Sequence, residues 1–401
     1  MKIIIHDYAG HPFQAQLSRA LVSLRGHEVI HAYGSGLVTP QGNLERQSGD
    51  SENLLFAPIP LHKNYAKNKY NFLKRRGYEI SYGKKLAKLI NRENPDVVMS
   101  GNMPSEPQRY IQSYCRERGI RFINWIQDFY GIAVDKVVRK KIPILGPLIG
   151  SYFKNIDKMV SCSCDANIVI TEDFREIFKQ QGLYLDNVHT VPNWANLDEI
   201  KVTPKANIWA TRYELHDKFV FLYSGTLAMK HNPALLVNLA KHFSNHGDVR
   251  VVVASEGPGR EWLGKEKIEK KIDNLILLPF QPYAVMSLML GAADVLVGIL
   301  EEYAGVFSVP SKILTYMCAQ RPQLAAMPQQ NLATKSIVEN NAGLVVGPSE
   351  MELFVKSAKK LYNNAVLRNE MGRNARTYAE ANFDIELICN KFENILTDSE
   401  T

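Results

Sequence analysis

Short apolar, β-rich runs alternate with longer helical patterns along almost the whole chain, and this alternation restricts the fold more than any other feature. In the first half the predicted strands are residues 2–6, 27–32, 97–100, 121–125, 167–170 and 188–191. Helical spacing fills gaps between them, for example over residues 12–24 and 82–91. Repeated strand–helix units imply a parallel sheet covered on both faces. Near Leu197 the pattern breaks, and residues 201–218, polar and irregular around Pro204, read as a linker. A second series of strands follows at 220–223, 249–254, 275–278, 295–300, 323–326 and 343–346. Its helices are expected at 233–244, 283–291, 311–319, 331–340, 350–364 and 366–382. The expected architecture is α/β, with two tandem doubly wound, Rossmann-like domains over residues 1–200 and 219–382. A last helix within 383–401 would cross back to the first domain. Ligands in such sheets bind beyond the carboxyl ends of the strands, so a deep cleft between the halves is the expected site.

The 401 residues suffice for two domains of roughly 150–200 residues each. No 18-residue apolar span suggests a transmembrane helix, and Ile3-Ile4-Ile5 reads as a first strand rather than a signal peptide. Five scattered cysteines fit free thiols in a reducing compartment, and Cys162-Ser163-Cys164 lacks the partner pair of a metal site. The net charge of +7 is uneven: residues 61–92 carry ten Lys/Arg and one acid, Glu79, interleaved with Tyr65, Tyr70, Phe72, Tyr78 and Tyr82. Lys136, Arg139, Lys140 and Lys141 precede an apolar run over residues 142–149. Segments 61–92 and 136–149 therefore suit an anionic membrane surface, with a solvated helix face as the plain alternative. No helix-turn-helix, zinc-finger or RNA-binding signature accompanies the charge, which argues against nucleic acid.

Two turns in the second half place chemistry-bearing residues at strand ends. After the strand at 295–300, Ser311 opens a segment with helical spacing at Ile313, Leu314, Met317 and Cys318. Gly305 loosens the intervening turn, Pro310 precedes the helix and Ser311 suits an N-cap. A helix N-terminus can hold an anion, and a bound diphosphate would offset the placing of Lys312 against the helix dipole. The other turn runs from Tyr223-Ser224-Gly225-Thr226 to Lys230-His231-Asn232-Pro233, where Lys230 can neutralise a diphosphate as a point charge. A plain strand–loop–helix with solvated lysines competes with both readings. Ser255-Glu256-Gly257-Pro258-Gly259 sits at a further strand end, but no third glycine completes a dinucleotide fingerprint.

In their order and spacing these pieces resemble the nucleotide-sugar-binding half of family 4 glycosyltransferases, which have the GT-B fold. More narrowly they resemble the WbuB-like bacterial polysaccharide-biosynthesis subgroup. The match runs through Tyr223 to Leu227, Lys230 to Pro233, Ser255 to Pro258, Ala293-Asp294-Val295, Gly305 to Lys312, Tyr316-Met317 and Arg321-Pro322. Residues 342–346 and 371–376 continue it. His6-Asp7-Tyr8, Gly10-His11-Pro12, residues 26–29 and residues 191–194 extend it into the first half.

The resemblance implies a retaining glycosyltransferase without metal or cofactor. Its donor would be a nucleotide sugar, UDP-linked by family habit, held in the second domain. A lipid-linked or saccharide acceptor would bind the first, on the cytoplasmic face of the cell membrane, in surface polysaccharide synthesis. Donor diphosphate contacts would come from Gly10, Gly225, Thr226, Lys230, Ser308, Ser311 and Lys312. Thr226 stands where the family usually has arginine, and Phe307 and Thr315 where it has paired glutamates. Glu256, Glu301 and Thr315 are then the candidates for the donor sugar and ribose, with Glu302 beside them. Gln127-Asp128 occupies the place of a common His-Asp pair at the end of a strand. Asp128 would orient the acceptor hydroxyl or take its proton, with Lys230 stabilising the leaving diphosphate; a capping aspartate is the plain alternative. Asn102 and Gln127 would line the acceptor site. His11 opens the first helix, where a helix-start role is equally open. The missing glutamates leave room for a catalytically silent nucleotide-sugar-binding partner, and the fold for a sugar-nucleotide epimerase.

Overall fold

Among the described residues, thirteen runs pair side by side as parallel strands, because the helix that follows nearly every strand returns the chain to the same end of its sheet. The computed structural model describes residues 1–37, 41–68, 71–183, 185–227, 231–302 and 310–398. The chain divides into two compact units, residues 1–193 with 385–401, and residues 194–384.

The first unit runs β1 (Lys2–Asp7), α1 (Pro12–Arg25), β2 (Glu28–Ser35), β3 (Leu54–Pro60), α2 (Phe72–Glu93), β4 (Val97–Gly101), α3 (Ser105–Arg116) and β5 (Arg121–Ile126). It continues with α4 (Tyr130–Lys141), α5 (Gly146–Ser163), β6 (Ala166–Val169), α6 (Glu172–Gln180) and β7 (Val188–Thr190). The strand order is β3-β2-β1-β4-β5-β6-β7. The second unit runs α7 (Ile208–Arg212), β8 (Phe219–Ser224), α8 (Ala234–His242), β9 (Val249–Ala254), α9 (Pro258–Glu269), β10 (Leu275–Leu278), α10 (Met286–Gly291) and β11 (Val295–Ile299). It closes with α11 (Ser311–Cys318), β12 (Gln323–Ala326), α12 (Leu332–Glu339), β13 (Gly343–Val346), α13 (Met351–Asn363) and α14 (Ala365–Asn382), in strand order β10-β9-β8-β11-β12-β13. The final helix, α15 (Ile385–Thr397), belongs to the first unit. Each sheet reverses direction at its central pair, β1/β4 and β8/β11, and the loops beyond those strands are where a doubly wound sheet binds ligands. The central strands are buried along nearly their whole length, as their unbroken Val/Ile/Leu/Phe runs require.

Several local expectations differ from what the structure shows. Strand β3 is absent from the strands expected from sequence; Pro58 and Pro60 are tolerated in it because it forms the sheet edge, where a missing N–H costs no ladder bond. Helix α2 starts ten residues earlier than its apolar spacing suggests, capped by the Asn71 side chain, which accepts from Lys74 N–H. Residues 201–218, read as a linker, lie inside the second unit and carry α7, capped by Asn207 and anchored by buried Trp209, Ala210 and Leu215. Ser311 is the first helical residue of α11 rather than its cap; Pro310 holds that place, with no side-chain cap. The five cysteines are free thiols.

Helix α15 completes the first unit from the far end of the sequence. Fully buried Phe392 packs on Trp125 of β5, ring centroids 4.8 Å apart. The Arg121 guanidinium donates to the carbonyls of Ile395 (3.0 Å) and Leu396 (3.2 Å), and His27 Nε2 meets Glu393 Oε2 at 2.7 Å. Phe392→Ala should therefore destabilise the protein by about 3–5 kcal/mol in denaturant unfolding; a loss under 1 kcal/mol would show that α15 is not seated in solution.

Candidate active site

In the second unit the ends of β8 and β9 are laced together. Gly225 N–H donates to Ala254 O (3.1 Å), Leu227 N–H to Glu256 O (3.0 Å) and Gly259 N–H to Leu227 O (2.9 Å). Gly225 has φ +113°, a conformation side chains rarely adopt, and Lys312 Nζ lies 3.2 Å from where a Cβ would stand. Lys312, in the first turn of α11, leans back over the end of β8. Its Nζ donates to Tyr223 Oη and stands 3.8 Å from that ring's centroid. The Tyr223 hydroxyl in turn donates to Thr226 O (2.9 Å). Tyr316 fixes α11 to the same strand end: its hydroxyl accepts from Ser224 N–H (2.9 Å) and donates to Ser224 O (3.1 Å).

Gly225, Thr226 and Lys312 thus meet beside the N-terminus of α11, where a cation, a side-chain-free glycine and a helix end suit an anion. Ser311 is exposed at the first position of that helix, and Thr315 is half-buried one turn on. Glu256 is half-buried after β9. Glu301, half-buried after β11, has its carboxyl pKa raised by burial, against a hydrogen bond from Asn232 and with the added charge of Glu302. Lys230, Phe307 and Ser308 lie outside the described residues.

In the first unit, chemistry gathers beyond β1, β4 and β5. The Asp7 carboxylate, fully buried at the end of β1, accepts from Ala9 N–H (3.1 Å), His11 N–H, His11 Nδ1 (3.1 Å) and Asn102 Nδ2 (3.0 Å). Burial alone would raise its pKa; the His11 charge and these bonds hold it below the usual carboxylate range. Burial likewise pulls His11 down, but the charge and hydrogen bond of Asp7, then the charge of Asp128, hold its imidazole above its ordinary value. Gly10 takes φ +76°, and a Cβ there would stand 2.8 Å from Leu44 Cδ1. Asp128 is exposed at the end of β5; Gln127 beside it is buried, and its Oε1 accepts from Asn193 Nδ2.

A buried polar relay crosses this sheet. Tyr82 Oη lies 2.9 Å from His6 Nε2, His6 Nδ1 lies 2.8 Å from Ser100 Oγ, and Ser100 Oγ donates to Gln108 Oε1 (2.7 Å). Gln108 Nε2 donates to Asn124 Oδ1 (3.0 Å), and Asn124 Nδ2 to Asn167 Oδ1 (3.1 Å). The donating direction of Ser100 puts the His6 proton on Nδ1, and burial keeps that imidazole neutral, its pKa pushed down to about 3. The relay ends at a cavity of about 120 Å³ lined by Asn102, Ser105, Gln108, Asn124, Gln127, Asp128 and, from α5, Asp157. Asp157 accepts from Gly131 N–H of α4 (2.6 Å), where a side-chain Cβ would come within 2.7 Å of Asp157 Oδ2. Burial pushes the Asp157 carboxyl up to about 6, against the Ser105 hydroxyl and the Gly131 N–H.

The structure therefore brings Asn102, Gln127 and Asp128 to one cavity. Sequence reasoning missed Asp7, Ser105, Gln108 and Asp157. The one available signal was spacing: Asp157 sits between Phe153 and Val160 on the apolar stripe of α5, where a carboxylate is out of place. The basic segment 61–92 is corrected in part. Tyr65 is buried and donates to Glu79 Oε1 (3.1 Å), and Tyr82 is buried on His6, because these positions fall on the face of α2 and its approach that packs inward. Tyr70 lies outside the described residues. Among the described residues no three His, Cys, Asp or Glu side chains group as a metal site, and no helix is long and apolar enough to cross a membrane.

Because the folded chain holds the Asp157 proton more tightly than the unfolded chain, this group's stabilisation is full below pH 3.8 and is lost as pH rises through about 6. Asp157→Asn should gain on the wild type by on the order of 2 kcal/mol between pH 4 and 7. A difference in unfolding free energy that stays constant over that range would show a carboxyl in ordinary solvent.

Two family descriptions match the chain: Glycosyl transferases group 1 over residues 208–378, and Glycosyltransferase Family 4 over residues 14–199. The putative colanic acid biosynthesis glycosyl transferase WcaI of Escherichia coli is 24% identical over 220 residues, 54% of this chain and 53% of its own. The chain thus spans about half the length of that curated relative. Among solved structures, HepE of Anabaena in complex with UDP and glucose aligns with TM-score 0.72 at 12% identity, covering all of both chains. WaaG, a glycosyltransferase involved in lipopolysaccharide biosynthesis, aligns with TM-score 0.69 at 16% identity over 99% of this chain and 100% of its own. At such identities these two likenesses establish the fold. With one match on each unit, and the doubly wound sheets carrying polar clusters at their strand ends, the chain belongs to the family 4 glycosyltransferases of GT-B fold.

Proposed function

We propose that this protein transfers a sugar, with retention of configuration and without a bound metal, from a UDP-sugar to a lipid-linked saccharide in bacterial surface polysaccharide synthesis. The observation that carries the donor half is Lys312 held over Gly225 and Tyr223 at the N-terminus of α11. Gly225, Thr226, Ser311 and Lys312, with Lys230 and Ser308 outside the described residues, would hold the diphosphate. Glu256, Glu301 and Thr315 would face the sugar and ribose. HepE, of the same fold, binds UDP and glucose, which supports a UDP-linked donor here. Asn102 and Gln127 would receive the acceptor, and Asp128 would orient its hydroxyl or take its proton. Catalysis would rest on positioning the two sugars and on stabilising the charge that develops on the leaving diphosphate.

The membrane part of the reading is supported by the surface of α4 and α5. Ile144 (88% exposed), Leu148 (70%) and Leu145 stand out at the turn between them, next to exposed Arg139, Lys140 and Lys141. Exposed Phe72 and Leu73 adjoin this surface, because the Phe72 ring packs edge-on against Phe153 of α5 (5.9 Å). Exposed apolar tips beside Lys/Arg suit an anionic bilayer surface, with the protein working peripherally on the inner face of the membrane.

Lys312→Ala should weaken UDP binding at least tenfold in calorimetry and lower turnover by about 10²–10³; wild-type turnover at saturating donor would remove its role. A wild type that no UDP-, GDP- or ADP-sugar stabilises against heat would overturn the transferase reading. Ile144→Glu with Leu148→Glu should abolish binding to phosphatidylglycerol vesicles, which in the wild type should weaken as salt rises. No wild-type binding at low salt would point to a soluble acceptor.

A further inference from the structure

The edge of the first sheet carries a cavity that the proposed chemistry does not use. It encloses about 570 Å³ between β2, β3 and the chain leading into β3, within the roughly 300–1,000 Å³ in which proteins hold compact guests. Tyr33, Leu44, Leu55 and Phe56 give it aromatic and apolar walls, and four glutamates line it against one cation, Arg46. Lys2 neutralises two of the four, Glu28 and Glu93, at 3.1 Å each. Among the described residues the exposed Glu45 and Glu52 carboxylates have no ion-pair partner. Backbone pairing is half closed to a guest here. Val29 N–H donates to Asn53 O (2.8 Å) and Leu61 N–H to Ser35 O (3.2 Å), so the odd-numbered residues of β3 face β2. The outward positions are 54, 56, 58 and 60, and Pro58 and Pro60 have no N–H to offer. A guest is therefore held by side chains: apolar groups for the walls and cations for Glu45 and Glu52.

The same chain displays such a group. Residues 136–148, the end of α4 and its turn into α5, carry Lys136, Arg139, Lys140 and Lys141 and no acid. Ile144, Leu145 and Leu148 are exposed beside them. Asp135 takes up Arg139 (2.7 Å), whereas among the described residues Lys140 and Lys141 meet no carboxylate. Glycines keep the tip narrow: a Cβ on Gly146 would stand 2.5 Å from Val138 O, and one on Gly150 would stand 1.8 Å from Asp135 Oδ1. The result is a slim prong, apolar at its end and cationic at its flank, which complements the cavity in polarity and in charge. We infer that the cavity between β2 and β3 receives the α4–α5 tip of a second copy of this chain. The contact is head-to-tail, so each copy keeps one tip or one cavity free and copies add in a row. One prong in one cavity covers less than the about 1,200 Å² of a stable interface, which makes the association weak and concentration-dependent. Ile144, Leu148 and the neighbouring lysines are also the groups proposed for the bilayer. A copy seated on its neighbour has no tip left for the membrane, so the two contacts exclude one another.

Self-association stands apart from the sugar-transfer reading; only the exclusion rests on the membrane reading. The full chain, without nucleotide or lipid, is followed by sedimentation velocity from about 10 to about 500 µM. Its weight-average mass should rise with concentration at low salt and fall back at high salt. Glu45→Lys with Glu52→Lys, and Lys140→Glu with Lys141→Glu, should each weaken the association at least fivefold, with thermal midpoints near the wild-type value showing that both variants fold. An equimolar mixture of the two variants should associate again, because the reversed tip meets the reversed cavity and the native tip the native one. A carbodiimide, which joins an amine to a nearby carboxylate as an amide and itself takes up the water, should link Lys140 or Lys141 to Glu45 or Glu52 between copies. Phosphatidylglycerol vesicles should suppress that link. A mass that stays monomeric throughout, cavity variants that associate as the wild type does, or a mixture no heavier than its parts would overturn the inference. An undiminished link on vesicles that bind the protein would overturn the exclusion. Failure of the wild type to bind vesicles would instead overturn the membrane reading and leave the self-association standing.

Discussion

A parallel sheet covered on both faces has no free surface for chemistry along its strands, so reactive groups are confined to the loops beyond the strand ends. Both units obey this constraint. Asp7 ends β1, Asn102 and Gln127 follow β4 and β5, and Gly225, Glu256 and Glu301 follow β8, β9 and β11. The same burial that builds the sheets also lowers the local dielectric at their ends, which is why a single uncompensated group there would be costly. Asp7 shows the compensation most fully: four donors surround one carboxylate with no exposed surface.

The relay from Tyr82 to Asn167 extends this logic into the sheet itself. Polar side chains on buried strands are tolerable only when all are paired, and paired networks of this kind specify one arrangement of their members. Ser100 accepts from and donates to neighbours on different elements, so the amide of Gln108 has one orientation that satisfies both its ends. The cavity wall is fixed before anything enters it. In the second unit the equivalent work is done by Tyr223 and Tyr316, whose hydroxyls tie α11 to the end of β8 without any charge but that of Lys312.

The sheet architecture was legible because buried strands are written as continuous apolar runs, and the strands of the second unit appear in sequence nearly at their structural limits. Lys312 and Gly225 were legible for a similar reason: each lies next to a strong boundary signal, a strand end or a proline before a helix. Strand β3 escaped because its prolines speak for its edge position only once the sheet order is known. Asp157 and Ser105 escaped because they come to the site from two different helices, 52 residues apart, with Asp157 bonded to Gly131 26 residues before it, and no local pattern encodes that meeting. The inward turn of Tyr65, on the approach to α2, and of Tyr82, within it, was hidden by the charge around them, which lies on the outer side of that segment.

The place of α15 has a consequence for how the chain is made. The first unit begins with residue 1 but is closed by a helix beginning at Ile385, and the 191 residues 194–384 of the second unit are synthesised in between. At about 5–20 residues per second that interval lasts roughly 10–40 s. Throughout it the apolar bed of Phe392 on β5, and the flank of α1 that α15 covers, stand open to water and to other chains. The second unit, continuous in sequence, meets no such delay. Nascent chains of this protein therefore pass through a stage in which the half made first is the half finished last, and its exposed bed offers a natural holding point for a chaperone.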